Sequence, residues 1–287
     1  MKNLLLQIDT DTAASTFDGV VAFDAGVDQI MTRGGVTPDE VTSLVHGMMF
    51  TRGPEQLRHS AIFVGGSDVS AAEALLSKVR EIFFGPVRVS VLLDANGCNT
   101  TAAAAVVTAA KHAELKDSKV VVLGGTGPVG RRSAQMAAMD GADVVLTSRN
   151  ADRANTVADE VAALCQSNVR IRGAGTGDED ATRSVLSDAN VVIACGAAGV
   201  QLASLDMLDQ AQQLRVAIDL NAVPPAGLGG ISVTDKNVKI SDHAVGYGAI
   251  GVGGRKMKIH KSAIKRLFES NDQIMDAAEV FEIAKAL

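Results

Sequence analysis

The sequence predicts an α/β protein of two domains, the second built on a doubly wound parallel sheet. Three observations carry this. Short apolar runs alternate with longer segments of helical period along the whole chain. A glycine-rich turn, LGGTGPVG at 123 to 130, stands between a run of β-formers and a helical segment. The 287 residues suffice for two cores of ordinary size, which makes a ligand cleft between them the expectation.

The first domain is expected over 1–115, with strands at Leu4 to Ile8, Ala61 to Val64 and Val87 to Leu93 and helices around 16 to 25, 38 to 49 and 70 to 82. Thr37, Pro38 and Glu40 spell a capping box for the second helix. A linker helix is expected from Asn99, after the turn at Asn96 and Gly97, through the alanines to about Ala113. The second domain, 116–250, opens with KVVVLGG and continues with strands near 143 to 148, 169 to 172, 191 to 195 and 216 to 220. A helical segment from about Val252, within 251–287, is expected to return to the first domain.

Hydrophobic residues make up 47% and charged residues 21%, the balance of a globular protein. A net charge of -6, one Tyr and no Trp argue against a surface that neutralises phosphates and stacks bases, so nucleic acid is excluded as a partner. Cys98, Cys165 and Cys195 are scattered and odd in number, which suggests neither disulfides nor a zinc site, and no metal is expected. The first residues carry no secretory pattern and no run of about 18 apolar residues exists, so the expected location is cytoplasmic, away from membranes.

Gly125, Gly127 and Gly130 fit G-x-G-x-x-G in the strand-to-helix setting that gives the pattern meaning. Gly125 is expected to allow the tight turn, Gly127 the approach of a pyrophosphate and Gly130 close packing of helix on strand; Thr126, Pro128 and Val129 complete the loop. The helix N-terminus supplies free N–H groups for phosphates. Where an NAD enzyme has an acid, about 20 residues on, this chain has Ser148 and Arg149. An acid would repel a 2′-phosphate; a hydroxyl donor and a guanidinium fork attract it, so NADP is the expected cofactor. Arg153 adds a second charge or is a solvated helix residue. ACGAAG and DLNAVPP end later strands of the same sheet, which places Cys195, Gly196 and Asn221 beside the cofactor; Asn221 reads equally as a residue that shapes the turn before Pro224, and Cys195 as a small buried residue rather than a nucleophile.

In GAIGVGGRKMKIHKSAIKRLF, 248 to 268, Lys256, His260, Ala263 and Leu267 share one helical face, and Lys258, Lys261 and Lys265 another, read as a solvated basic stripe. Lys256 and His260 are site candidates, with a satisfied core residue the competing reading of His260. No metalloprotease, acyl-enzyme or paired-carboxylate motif is present.

LLLQIDTD, FD at 17 and 18, AIFVGG, FFGPVRVS, NTTAAA, GGTGPVG, NAVPPAGLGGI and GAIGVGGRKMKIH, in this order, resemble the NADP-dependent methylene-tetrahydromethanopterin/methylene-tetrahydrofolate dehydrogenases of methylotrophic bacteria over essentially the whole chain. The resemblance implies an N-terminal pterin-binding domain, a C-terminal Rossmann domain for NADP, an interdomain active site, a homo-oligomer taken as a trimer, and no metal. The reaction it implies is hydride transfer from the methylene bridge of the pterin to NADP, in one-carbon metabolism. It places Lys256, in a positioning role, and His260 at the pterin, Phe17 against its ring, and Asn99, Thr100 and Thr101 along the cleft. Read from the residues alone, Phe17 is equally a core residue, and Asn99 and Thr100 cap the linker helix. Related bifunctional folate enzymes use a first-domain lysine for a cyclohydrolase step. None occurs between Lys2 and Lys78, so dehydrogenase activity alone is expected. The alternatives are an NADP-dependent shikimate/quinate-type dehydrogenase, which calls for a Lys and Asp pair not evident around Asp94, and a non-catalytic NADP sensor.

Overall fold

The computed structural model describes residues 1–165 and 168–287. Along the chain run β1 (Leu4–Asp9), α1 (Thr16–Asp24), β2 (Gln29–Arg33), α2 (Pro38–Met49), β3 (Ser60–Gly65), α3 (Val69–Ile82), β4 (Ser90–Leu93) and α4 (Cys98–Ala109). Then follow β5 (Lys119–Leu123), α5 (Pro128–Met139), β6 (Asp143–Ser148), α6 (Ala151–Ala163), β7 (Arg170–Gly175), α7 (Glu179–Leu186), β8 (Val191–Ala194), α8 (Leu205–Gln210) and β9 (Val216–Asp219). β10 (Lys236–Lys239), β11 (Val245–Tyr247), α9 (Ala249–Arg266), β12 (Ile274–Met275) and α10 (Ala277–Lys285) complete it.

Two compact units result. Unit 1 holds Met1–Thr100 with Met257–Leu287, and unit 2 holds Thr101–Lys256, so α4 and α9 each run from one into the other. Unit 1 is a parallel sheet of order β12-β4-β3-β1-β2. Its central strands are buried along their length, as β3 shows from Ser60 to Gly65, because helices cover both faces of such a sheet.

Unit 2 has the order β10-β11-β9-β8-β5-β6-β7, parallel except for the β10–β11 pair at one edge. The order reverses at β5, whose neighbours are β6 and β8, the point where doubly wound sheets take ligands. The expected α/β class, with a Rossmann-type second half, is thus the one found.

The differences from expectation have local causes. β4 begins at Ser90, not Val87, because Phe84 and Val87 exchange backbone hydrogen bonds (3.2 and 2.9 Å) around Gly85 at φ +53, forming a turn. α4 ends at Ala109 instead of Ala113, closing through 3.2 Å and 2.9 Å bonds from Lys111 N–H to Thr108 and His112 N–H to Ala109. α9 starts at Ala249, earlier than Val252. Strands β2, β10, β11 and β12 are additional: β2 and β10 are mostly exposed edge strands without alternation, and β12 is two residues long.

Glycine decides how α5 sits on β5. A Cβ on Gly130 would lie 2.5 Å from Gly125 Cα and 2.6 Å from its carbonyl oxygen. Backbone cannot yield as a side-chain tip can, so Gly130→Ala should displace α5 and cost about 1–3 kcal/mol of stability, the usual overpacking penalty. Chemical denaturation of the full chain measures it; an unchanged midpoint would contradict the packing role.

Candidate functional site

In unit 2 the loop after β5 hangs from β6. Gly125 N–H donates to the Thr147 carbonyl (2.9 Å), and Gly124 N–H to the Thr147 hydroxyl (3.2 Å). The left-handed residue of the turn is Gly124, φ +64, one place before the expected Gly125. Gly125 is needed instead for space, since a Cβ there would meet Leu146 Cγ at 2.8 Å and the Val122 carbonyl oxygen at 3.0 Å. Gly127 is the N-cap of α5, with Pro128 as its first residue, and a Cβ on Gly127 would meet no atom within 4 Å. A side-chain-free cap before a helix N-terminus with open space in front is a cradle for an anion, so the loop Gly125, Thr126, Gly127, Pro128, Val129 and Gly130 fits a dinucleotide pyrophosphate.

Ser148 ends β6 and its hydroxyl accepts from Asn150 N–H (3.4 Å); Asn150 in turn caps α6 by accepting from Arg153 N–H (2.9 Å). Arg149 follows the strand end and Arg153 lies in the first turn of α6; both are exposed, and so is Asp152 between them. Across the sheet, Cys195 N–H bonds the Leu123 carbonyl (2.8 Å), and a Cβ on Gly124 would fall 2.7 Å from Gly196 Cα, so β5 and β8 end in direct backbone contact. Burial pushes the Cys195 thiol up to about 12, with the Asp219 charge adding to the rise and Ser133 opposing it. At neutral pH this sulfur is a neutral thiol, the state of a packing residue.

Asn221 is taken up by its own loop: its side-chain amide donates to the Pro225 carbonyl (3.1 Å) and accepts from Val223 N–H (3.0 Å). Sequence reasoning passed over Asp219, buried at the end of β9, whose carboxylate accepts from Asn221 N–H (2.9 Å) and Leu228 N–H (3.0 Å) and so holds both ends of that loop. The signal was present, an acid closing an apolar strand just before a Pro-Pro loop. Thr147 and Thr176, which brace the loops after β5 and β6, gave none.

In unit 1 the segments FD and AIFVGG converge on the buried His260. Its ring stacks on Phe63 (centroids 5.7 Å, 24° between planes), lies 6.3 Å from the Phe17 ring, and presents Nε2 at 3.9 Å from Asp18 Oδ1. Phe17 is half exposed at 51%, so it is not the core residue that the competing reading made it. Lys256 is half-buried one turn before His260 on α9. Of the basic stripe, Lys258 and Lys265 are exposed and Lys261 pairs with Asp24 at 2.7 Å.

Asn99 and Thr100 are fully buried. Asp94 Oδ1 accepts from both their N–H groups (3.0 and 3.1 Å), its Oδ2 accepts from the Thr100 hydroxyl (2.6 Å), and the Asn99 amide donates to the Leu93 carbonyl (2.8 Å) and Asp276 (2.9 Å). Asp94, which lacks a lysine in sequence, is the cap of α4. Thr101 follows, half-buried. At the ends of β1 and β3, the buried Thr10 hydroxyl has no hydrogen-bond partner among the described residues and faces Gly66, where a Cβ would lie 1.8 Å from it. Among the described residues no helix is long and apolar enough to cross a membrane.

Residues 16–96 match the model of the methylene-tetrahydromethanopterin dehydrogenase N-terminal domain, and residues 120–223 that of the NAD dependent epimerase/dehydratase family. The NAD(P)-dependent methylenetetrahydromethanopterin dehydrogenase of Methylorubrum extorquens is 31% identical over 94% of this chain and 93% of its own. The bifunctional protein MdtA of the same organism is 43% identical over 100% of this chain and 99% of its own. This chain belongs to the methylene-tetrahydromethanopterin dehydrogenase family. The family that the sequence segments resemble is the one found. Among solved structures, the shikimate 5-dehydrogenase of Listeria monocytogenes (TM-score 0.53, 14% identity, covering 98% of this chain and 96% of that one) shares the fold. So does the quinate dehydrogenase of Corynebacterium glutamicum (TM-score 0.53, 14% identity, 100% and 99% covered). At that identity they speak for architecture alone, and the shikimate/quinate alternative gains no chemistry from them.

With its thiol neutral, the half-buried Cys195 in this methylene-tetrahydromethanopterin dehydrogenase family member should be chemically idle. Cys195→Ala is expected to keep turnover within about threefold of wild type. A loss of several hundredfold in steady-state kinetics would give the sulfur a role that its burial argues against.

Proposed function

We propose that the protein oxidises the methylene bridge of methylene-tetrahydromethanopterin or methylene-tetrahydrofolate with NADP, giving the methenyl form, in cytoplasmic one-carbon metabolism. The observation that supports this most is that a chain of this family joins its pterin module to a dinucleotide loop whose second strand ends in Ser148 and Arg149. When bound, the nicotinamide ring supplies the hydride acceptor.

Oxidising an N–CH2–N bridge removes a hydride and no proton, and the two nitrogens share the resulting positive charge. The protein therefore has to orient its substrates more than to move protons, and the lack of a catalytic triad suits the reaction. Gly125 to Gly130 and the start of α5 receive the pyrophosphate. Ser148 and Arg149 hold the 2′-phosphate, with Arg153 adding charge nearby. Cys195 and Gly196 give a small, closely packed floor, and Asn221 keeps its loop in shape beside it.

On the pterin side, Phe17 offers an exposed ring face, and His260 is held in place by Phe63 and Asp18. Lys256 positions the pterin by hydrogen bonding rather than by stabilising the developing charge. Asn99 and Thr100 fix the first turn of α4, and with it Thr101 along the cleft wall. The protein acts as a homo-oligomer, taken as a trimer, and has no cyclohydrolase activity.

Assays that cross both pterins with NAD and NADP test the reading; formation of the methenyl absorbance is expected, and no turnover with either pterin would sink it. Arg149→Ala should raise Kd for NADP roughly 10- to 100-fold, the worth of one or two charge-assisted hydrogen bonds, and leave NAD nearly unchanged. Equal losses for both would remove Arg149 from the 2′-phosphate. Incubation with the methenyl compound should yield no formyl-pterin above the uncatalysed rate, and its enzymatic appearance would reveal a cyclohydrolase.

A further inference from the structure

In unit 1, β12 is only two residues long, yet its register on β4 is fixed from several sides. Ile274 pairs with Val91 and Met275 with Leu92; Val91 N–H donates to the Gln273 carbonyl (2.8 Å), and Gln273 N–H to the Ser90 hydroxyl (3.2 Å). Asp276, the next residue, therefore comes level with Leu93, where β4 ends and the chain turns into α4. A slip of one residue would carry Asp276 about 3.3 Å along the strand, out of reach of any partner it holds by a hydrogen bond.

What this register delivers is one carboxylate shared by the starts of two helices. Asp276 is the N-cap of α10, in a capping box with Glu279, whose carboxylate accepts from Asp276 N–H at 3.0 Å. A cap alone would be served as well by Ser or Asn. The Asp276 Oδ1 atom also accepts from Asn99 Nδ2 (2.9 Å), and the same nitrogen donates to the Leu93 carbonyl (2.8 Å). Both amide hydrogens of the fully buried Asn99 are then used, and a buried donor left without a partner is costly enough to shift the residue or admit water. Asp94 holds the backbone of this first turn of α4 and Asp276 anchors its side chain, the one from β4 and the other from α10. Thr101 issues directly from that turn.

We propose that Asp276 is a positioning residue for the reaction: through Asn99 it fixes the first turn of α4, and with it the placing of Thr101 against the pterin. The proposal rests on the reading that sets Thr101 along the pterin. It gives β12 a purpose, since a two-residue strand adds little to a sheet but sets the register of Asp276.

Steady-state kinetics of the full chain with methylene-tetrahydromethanopterin and NADP, alongside equilibrium binding of NADPH, test this. Asp276→Ser keeps a cap for α10 but is too short to reach Asn99, so kcat/KM for the pterin should fall about tenfold or more while Kd for NADPH stays unchanged. Asp276→Asn, whose amide puts a donor where one of the two helices needs an acceptor, should do the same. Glu279→Ala removes the other half of the capping box and leaves Asn99 its partner; it should lower the unfolding midpoint yet keep kcat/KM within about twofold of wild type. In a Thr101→Ala background Asp276→Ser should cost nothing further, because its effect passes through that residue. Wild-type kcat/KM in a folded Asp276→Ser or Asp276→Asn protein would overturn the proposal, as would an equal loss in Glu279→Ala or a full additional loss on top of Thr101→Ala. Should neither Asp276 variant fold, the residue serves the fold alone and the proposal falls. Failure of the underlying reading looks different: Thr101→Ala by itself would then turn over the pterin like wild type, and the proposal would go with it.

Discussion

The nucleotide unit depends on one close approach, the seating of Gly130 on the backbone of Gly125. With no Cβ between them, α5 starts directly behind the end of β5 and its free N–H groups open onto the carboxyl edge of the sheet. Everything proposed for the cofactor follows from that seating. The end of β6 braces the loop through Thr147 and carries Ser148 and Arg149 beside it, and the end of β8 meets the loop at Gly196.

Both units use a second device, a buried aspartate at the carboxyl end of a strand. Asp9, Asp94 and Asp219 each spend carboxylate oxygens on backbone N–H groups of the segment that follows, at Asp11 and Ser15, at Asn99 and Thr100, and at Asn221 and Leu228. A carboxylate buried in this way is satisfied by several donors, so it fixes loop geometry where side-chain packing is thin. The edge of an α/β sheet where ligands bind is also where such fixing is most needed.

Much of the fold was legible because buried parallel strands read as unbroken apolar runs, as KVVVL and SAIFVG do, and because helices such as α2 announce their caps. The strands that escaped have no such signal: QIMTR and KNVK lie at sheet edges with mostly exposed side chains, and β12 owes its existence to its partner β4 rather than to its own residues. The glycine-rich turn after β5 was legible as a turn because glycine has few other reasons to recur at that spacing. The role of Gly124 was not, since two adjacent glycines look alike until φ is known. Around His260 the sequence offered Phe17 and His260 separately; only the fold brings Phe63 and Asp18 to the same imidazole from distant segments.

The discontinuity of unit 1 also bears on how the protein is made. Unit 2 is one continuous stretch, Thr101–Lys256, whereas the sheet of unit 1 gains its edge strand only from Ile274–Met275. Gln273 N–H bonds the Ser90 hydroxyl across 183 residues of sequence. On the ribosome, residues 1–100 therefore emerge with β4 unpaired on one side and stay so until the whole nucleotide unit has been synthesised. The half of the molecule translated first is the half whose sheet is completed last, and its apolar edge is the surface a chaperone would have reason to guard in the interval.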